Sequence, residues 1–296
     1  MYDGFAKYHP LVNFLYFVLT IGFTMVLRHP LAQASSLICA CAYAVQVQGM
    51  KAVGFCLKFC LPIMVLTAFF NPAFSHEGVT ILLYFPTGNP LTLESILYGL
   101  SSGVMLASGM VWFLNFNRVM TSDKFIYLFG RVIPALSLVL SMTLRFIPKF
   151  KTQMETVAEA QKMIGRDISQ GSLWQRTKIA VTVLSIMITW ALENAIETAD
   201  SMKSRGYGLK GRTAFSIYRF DDRDKTAMVY LLFCGMYLLT GTISSAFGFR
   251  YFPSIRCVDT NGVTISFQLV YFALCIMPVV LNGVEEKTWK AIHSSL

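Results

Sequence analysis

The chain has 296 residues, 55% of them hydrophobic and only 14% charged, where a soluble domain carries about 25% charged residues. The hydrophobic surplus lies in blocks, which excludes one large soluble core and points to membrane spans. The net charge of +9 does not mark a nucleic-acid partner, because the basic residues cluster between apolar blocks, as the positive-inside bias requires.

Apolar runs lie near Leu11–Leu27, Leu31–Val47, Ala52–Phe70 and Leu93–Leu114. Each approaches the roughly 20 residues that cross about 30 Å of hydrocarbon. The first run follows Lys7 without a clear small-residue cleavage site, so it reads as a retained span. Arg28-His29-Pro30 makes a tight turn to the second, and Gly49-Met50-Lys51 separates the second from the third. Two further runs, Ala227–Ala246 and Thr264–Leu281, complete six spans.

Lysine and arginine placement sets the orientation. Asn71–Thr92 holds neither, whereas Asn115–Lys225 holds 17 of the 25, with ten acids, for a local net charge of +7. The bare loop is therefore expected outside and the basic stretch inside, with both termini cytoplasmic in a multi-pass protein of the cell membrane. Residues 1–124 carry the first four spans, 125–225 the basic segment and 226–296 the last two.

Within the basic segment two more apolar runs occur, Phe125–Leu144, interrupted by Arg131 and Pro134, and Ile179–Leu192. If the second alone crossed, the basic stretch Lys203–Lys225 would face outside, against the charge rule. Both therefore read as parts of long helices at or partly within the inner face. The first, from about Ile133 to Gly165, is apolar and then amphipathic, with Ile147, Phe150, Met154 and Val157 at helical spacing. Pro148 predicts a kink or a restart. The second, from about Leu173 to Arg205, carries Ile179, Val183, Ile186 and Trp190 on a stripe that becomes Glu193, Glu197 and Asp200. Leu192, Ala195, Ile196, Ala199 and Met202 continue its apolar face. Gly165 and Gly206 are natural stops. A basic residue beside each stop complements the helix dipole, and an arginine at a protruding tip also suits a carboxylate-lined pocket.

Little else carries chemistry. Six of the seven cysteines lie inside apolar runs, with only Cys257 in a loop, which is no disulfide framework. No Cys/His spacing suggests a metal, and no cofactor is implied. His9, His29, His76 and His293 are scattered, and no G-x-x-x-x-G-K-[ST] run occurs. Lys58 and Glu94 are isolated ionisable residues in or beside spans. A membrane-embedded enzyme would need a polar constellation near the bilayer. A self-contained transporter would favour an internal repeat, and none is seen.

Leu144-Arg145-Phe146-Ile147-Pro148, then Glu159-Ala160-Gln161-Lys162, then Ala199-Asp200-Ser201-Met202-Lys203-Ser204-Arg205-Gly206-Tyr207-Gly208 resemble the transmembrane T component of energy-coupling factor transporters. The resemblance covers about Pro134–Gly208. It implies an all-α polytopic membrane protein with six transmembrane helices and two long cytoplasmic-side coupling helices. In that family each coupling helix ends in a small-Arg-Gly motif seated on one of two cytoplasmic ABC-type ATPase subunits, and the resemblance implies the same partners here. It also implies that the apolar parts of the helices cradle a membrane-embedded S component that binds a vitamin or metal ion. Ser204-Arg205-Gly206 matches the second motif. At the first, Ile164 stands where the family has arginine, Gly165 matches the glycine, and Arg166 follows one residue later. Either Arg166 serves from a shifted position or this tip docks without an arginine.

Overall fold

In a computed structural model the described residues are 3–75, 78–84, 90–130, 134–167, 169–209, 218–244, 248–257 and 262–294. His76, Arg131, Ile133 and Ala246, named above, lie outside them. The elements, in order, are α1 (Pro10–Val26), α2 (Pro30–Gln48), α3 (Met50–Phe55), a π-helical segment (Cys56–Cys60), α4 (Leu61–Phe74), β1 (Ile81–Tyr84) and β2 (Pro90–Thr92). They continue with α5 (Leu93–Val119), α6 (Ser122–Gly130), α7 (Pro134–Met163), α8 (Leu173–Ser204), α9 (Asp222–Ile243), β3 (Phe249–Arg250), β4 (Arg256–Cys257) and α10 (Gly262–Ser294). The protein is an all-α polytopic membrane protein, with β1–β2 and β3–β4 as small antiparallel hairpins.

Among the described residues, six helical stretches are long and apolar enough to cross a membrane: α2, the continuous Met50–Phe74, α5, α8, α9 and α10. Five of these are spans read from the sequence. The first expected span is α1, an apolar helix of 17 residues. The sixth is α8, which the sequence places at or partly within the inner face rather than across the bilayer. Its 32 residues extend the Ile179–Leu192 run at both ends, and that extension supplies the missing length.

The chain forms two compact units, Met1–Phe125 with Tyr218–Leu296, and Ile126–Ile217. In the first, α5 packs against α1, α2 and α4, while α10 packs against α2 and α9. The starts of α1 and α2 share one device. His9-Pro10-Leu11 and His29-Pro30-Leu31 each place a proline in the first turn, where its missing N–H costs nothing. In each, the histidine Nδ1 accepts the leucine N–H at 3.3 Å. Buried polar groups then link the spans. Ser36 Oγ accepts the Trp112 indole N–H at 2.9 Å and lies 2.9 Å from Thr24 Oγ1, which is 2.9 Å from Tyr271 Oη. Gly99 and Gly103 press α5 onto α4: a Cβ on Gly103 would strike Thr67 Oγ1 and lie 2.8 Å from Met64 Cα.

The second unit is built on α7 and α8. Of the kink or restart expected at Pro148, the restart does not occur: α7 runs 30 residues through the proline. The proline leaves the Leu144 carbonyl without its usual donor, while the turns on either side keep theirs. Ser172 and Gln175 form a capping box that starts α8. The two helices meet where Phe150 packs edge-on to Trp190, with ring centroids 5.3 Å apart. Lys149 Nζ sits 5.4 Å from the Trp190 centroid and donates to Asn194 Oδ1 at 3.1 Å.

Candidate docking tips

Both long helices end in the same backbone motif. At the end of α7, the Gly165 N–H donates to Lys162 O at 3.0 Å and the Arg166 N–H to Gln161 O at 2.9 Å. At the end of α8, the Gly206 N–H donates to Lys203 O at 2.9 Å and the Tyr207 N–H to Met202 O at 3.0 Å. These are paired 5→2 and 6→1 bonds, the Schellman pattern that satisfies the last carbonyls of a helix. Each requires a left-handed residue just past the cap, and Gly165 and Gly206 both have φ +78°. A side chain there would be strained, so each glycine is fixed by the backbone alone.

Superposing the motifs aligns the tips residue by residue. Ile164 and Arg205 both occupy the C-cap, Gly165 and Gly206 follow, and Arg166 and Tyr207 come next. The position filled by arginine at the second tip therefore holds isoleucine at the first. Ile164 is 63% exposed, and Arg166 and Arg205 are exposed as well. Among the described residues Arg205 makes no ion pair. Ser204 Oγ donates to Ser201 O at 2.9 Å, keeping its hydroxyl on the last turn.

The turn after Arg166 is stiffened by Asp167. Its carboxylate accepts the Ser169 N–H at 2.9 Å and the Ser169 hydroxyl at 2.7 Å, and lies 3.7 Å from Lys162 Nζ. The Ser169 hydrogen bonds, with the Lys162 charge, hold this carboxyl below its ordinary pKa. The two triads are not gathered into one site. Residues 164–166 precede the start of α8, and residues 204–206 close its other end, about 48 Å along a helix of 32 residues.

Between the tips, α7 and α8 form an apolar groove of about 680 Å³ lined by Phe150, Met154, Ala158, Val183, Met187 and Ala191, among others. Further along α8, Leu192 and Ile196 are 62% and 64% exposed, beside exposed Glu193, Glu197 and Asp200. The sequence placed these residues on α8 but did not pair Trp190 with Lys149 and Phe150. The only available signal was that both helices carry aromatics at amphipathic spacing.

No family model matches the chain. It is 28% identical over 210 residues to energy-coupling factor transporter transmembrane protein EcfT 1 of Listeria monocytogenes, covering 65% of this chain and 74% of that protein. It is 32% identical over 193 residues to EcfT of Bacillus selenitireducens, covering 60% and 70%. With EcfT of Lactobacillus helveticus it shares 30% identity over 139 residues, 46% and 47% of the two chains. Long paired helices with matching tips, a multi-pass apolar body and these relatives together place the chain in the EcfT family, the transmembrane proteins of energy-coupling factor transporters.

Proposed function

We propose that this chain is the coupling scaffold of an energy-coupling factor importer in the cell membrane, with both termini cytoplasmic. The tip of α7 (Ile164, Gly165, Arg166) and the tip of α8 (Ser204, Arg205, Gly206) dock on two cytoplasmic ABC-type ATPase subunits. ATP binding and hydrolysis belong to those subunits. The α7–α8 groove and the exposed apolar face of α8 receive a membrane-embedded S component, which carries the vitamin or metal ion. Closure of the ATPases moves the tips, and the two helices pass that movement to the S component. Residues 125–225 are the coupling region and the flanking segments are its membrane frame.

One observation carries this reading: two long helices end in superposable motifs whose C-cap side chains project into solvent. A C-cap arginine fits a carboxylate-lined groove, because the guanidinium can bind both oxygens at once. Losing such a contact costs roughly 2–5 kcal/mol, on the order of a 30- to 3,000-fold loss in affinity. The ATPases should therefore co-purify with the wild-type chain, less with Arg205→Ala, and least with Arg205→Glu, which adds like-charge repulsion. If Arg205→Glu leaves ATPase association and uptake at wild-type levels in a folded protein, Arg205 serves only the helix dipole.

A further inference from the structure

A second groove, of about 550 Å³, lies in the first unit between α9 and α10. Its walls are Ala227 and Tyr230 on α9 and Ala273, Ile276, Met277, Val280 and Leu281 on α10. At one end stand Tyr8 and Arg223, which also line the small polar cavity with Lys7, Asp221 and Asp224. Arg223 and Tyr230 are seven residues apart, so the groove runs roughly 11 Å from its polar end into the spans.

The polar groups at that end differ in their commitments. The Asp224 carboxylate accepts the His9 N–H at 2.9 Å and the Asp221 N–H at 3.0 Å. Asp221 completes the capping box of α9. Lys7 lies 3.4 Å from Glu285. Lys225 is 2.7 Å from Asp222. Arg223 is exposed, and among the described residues its guanidinium makes no ion pair. The half-buried Tyr8 hydroxyl, close enough to feel the Arg223 charge, likewise has no hydrogen-bond partner among them. Two uncommitted donors therefore converge at the polar mouth of an apolar slot.

We propose that this groove binds one phospholipid, with a phosphate oxygen held by the Arg223 guanidinium and the Tyr8 hydroxyl and an acyl chain laid between α9 and α10. Arginine is suited to a phosphate because its fork donates two parallel bonds. The nearby carboxylates make the mouth close to neutral, so the phosphate is recognised rather than a net headgroup charge. Docking of the helix tips plays no part in this site.

Native mass spectrometry of the purified, delipidated full chain tests it, with dioleoyl-phosphatidylglycerol and dioleoylglycerol as probes. The wild type should retain one phosphatidylglycerol and no dioleoylglycerol. Arg223→Met with Tyr8→Phe should lower phosphatidylglycerol occupancy at least tenfold, and Arg223→Lys should restore part of it. Ala273→Trp, which fills the slot while leaving both donors, should also abolish retention; Met277→Phe narrows the same slot if the tryptophan variant does not fold. Equal retention of both lipids, or occupancy unchanged by Arg223→Met with Tyr8→Phe, would overturn the proposal. The groove would then hold ordinary boundary lipid or the surface of a partner helix.

Discussion

At the first tip, the cap geometry assigns Ile164 the place that Arg205 holds at the second, and Arg166 lies one residue beyond it. Under the proposed docking, Ile164→Asp should weaken ATPase association more than Arg166→Glu. Quantitative pull-down of the two variants decides this, and the reverse order would mean that Arg166 reaches back to serve the pocket. Inside the membrane body, Ser36 is completely buried and touches both Trp112 and Thr24. Ser36→Ala leaves the indole N–H without an acceptor, which should lower stability by about 1–3 kcal/mol, measured by thermal unfolding in detergent. His29 adds a pH dependence. Burial lowers its pKa below the ordinary value, so the folded chain favours the neutral ring whose Nδ1 accepts the Leu31 N–H. The unfolded chain binds the proton more readily, so this stabilisation is complete above about pH 6.5 and is lost as the pH falls through the folded pKa. The midpoint of unfolding should therefore drop as the pH falls below about 6.5, and His29→Gln should flatten that profile.

Among the elements, the α4–α5 pair shows how little room the spans leave. A Cβ on Gly99 would meet Thr67 O at 2.6 Å, and one on Gly103 would strike Thr67 Oγ1 and the Met64 backbone. With Ala107, fully buried four residues on, they form a stripe of small residues that lets the two helices approach closely. Gly103→Ala should therefore force α4 and α5 apart at a cost of about 1–3 kcal/mol. Gly109→Ala is the control: its Cβ would find only Met25 Cε at 3.7 Å, and stability should barely change. Comparing the two in thermal unfolding separates loss of close packing from loss of glycine as such. The stripe was present in the sequence, but nothing local said which neighbouring helix it faced.

At the scale of the whole molecule, α8 has the length and composition of a span yet lies in the basic stretch. Crossing would put Ser169 and Lys203 on opposite sides of the membrane. The Lys/Arg bias places both on the side opposite Ser75. In a cysteine-free background, Ser75→Cys should react with an impermeant maleimide added outside intact cells. Ser169→Cys and Lys203→Cys should react only after permeabilisation. External labelling of Lys203→Cys alone would make α8 a seventh span, and external labelling of Ser169→Cys alone would mean that α7 and α8 both cross.

The sequence by itself determined that this is a polytopic helical membrane protein, because spans announce themselves by length and apolarity whatever they pack against. It also located both helix stops, since a left-handed cap demands glycine and the residues around Gly165 and Gly206 are local. Tertiary structure decided the rest. It carried α7 through Pro148 without the restart that was one of the two outcomes expected there. It assembled Ser36 with Trp112, Gly103 with Thr67, and Tyr8 with Arg223. Those partners are 36 to 215 residues apart in the chain, and no periodicity within a single helix encodes which neighbour a buried hydroxyl, a glycine or a free guanidinium will meet.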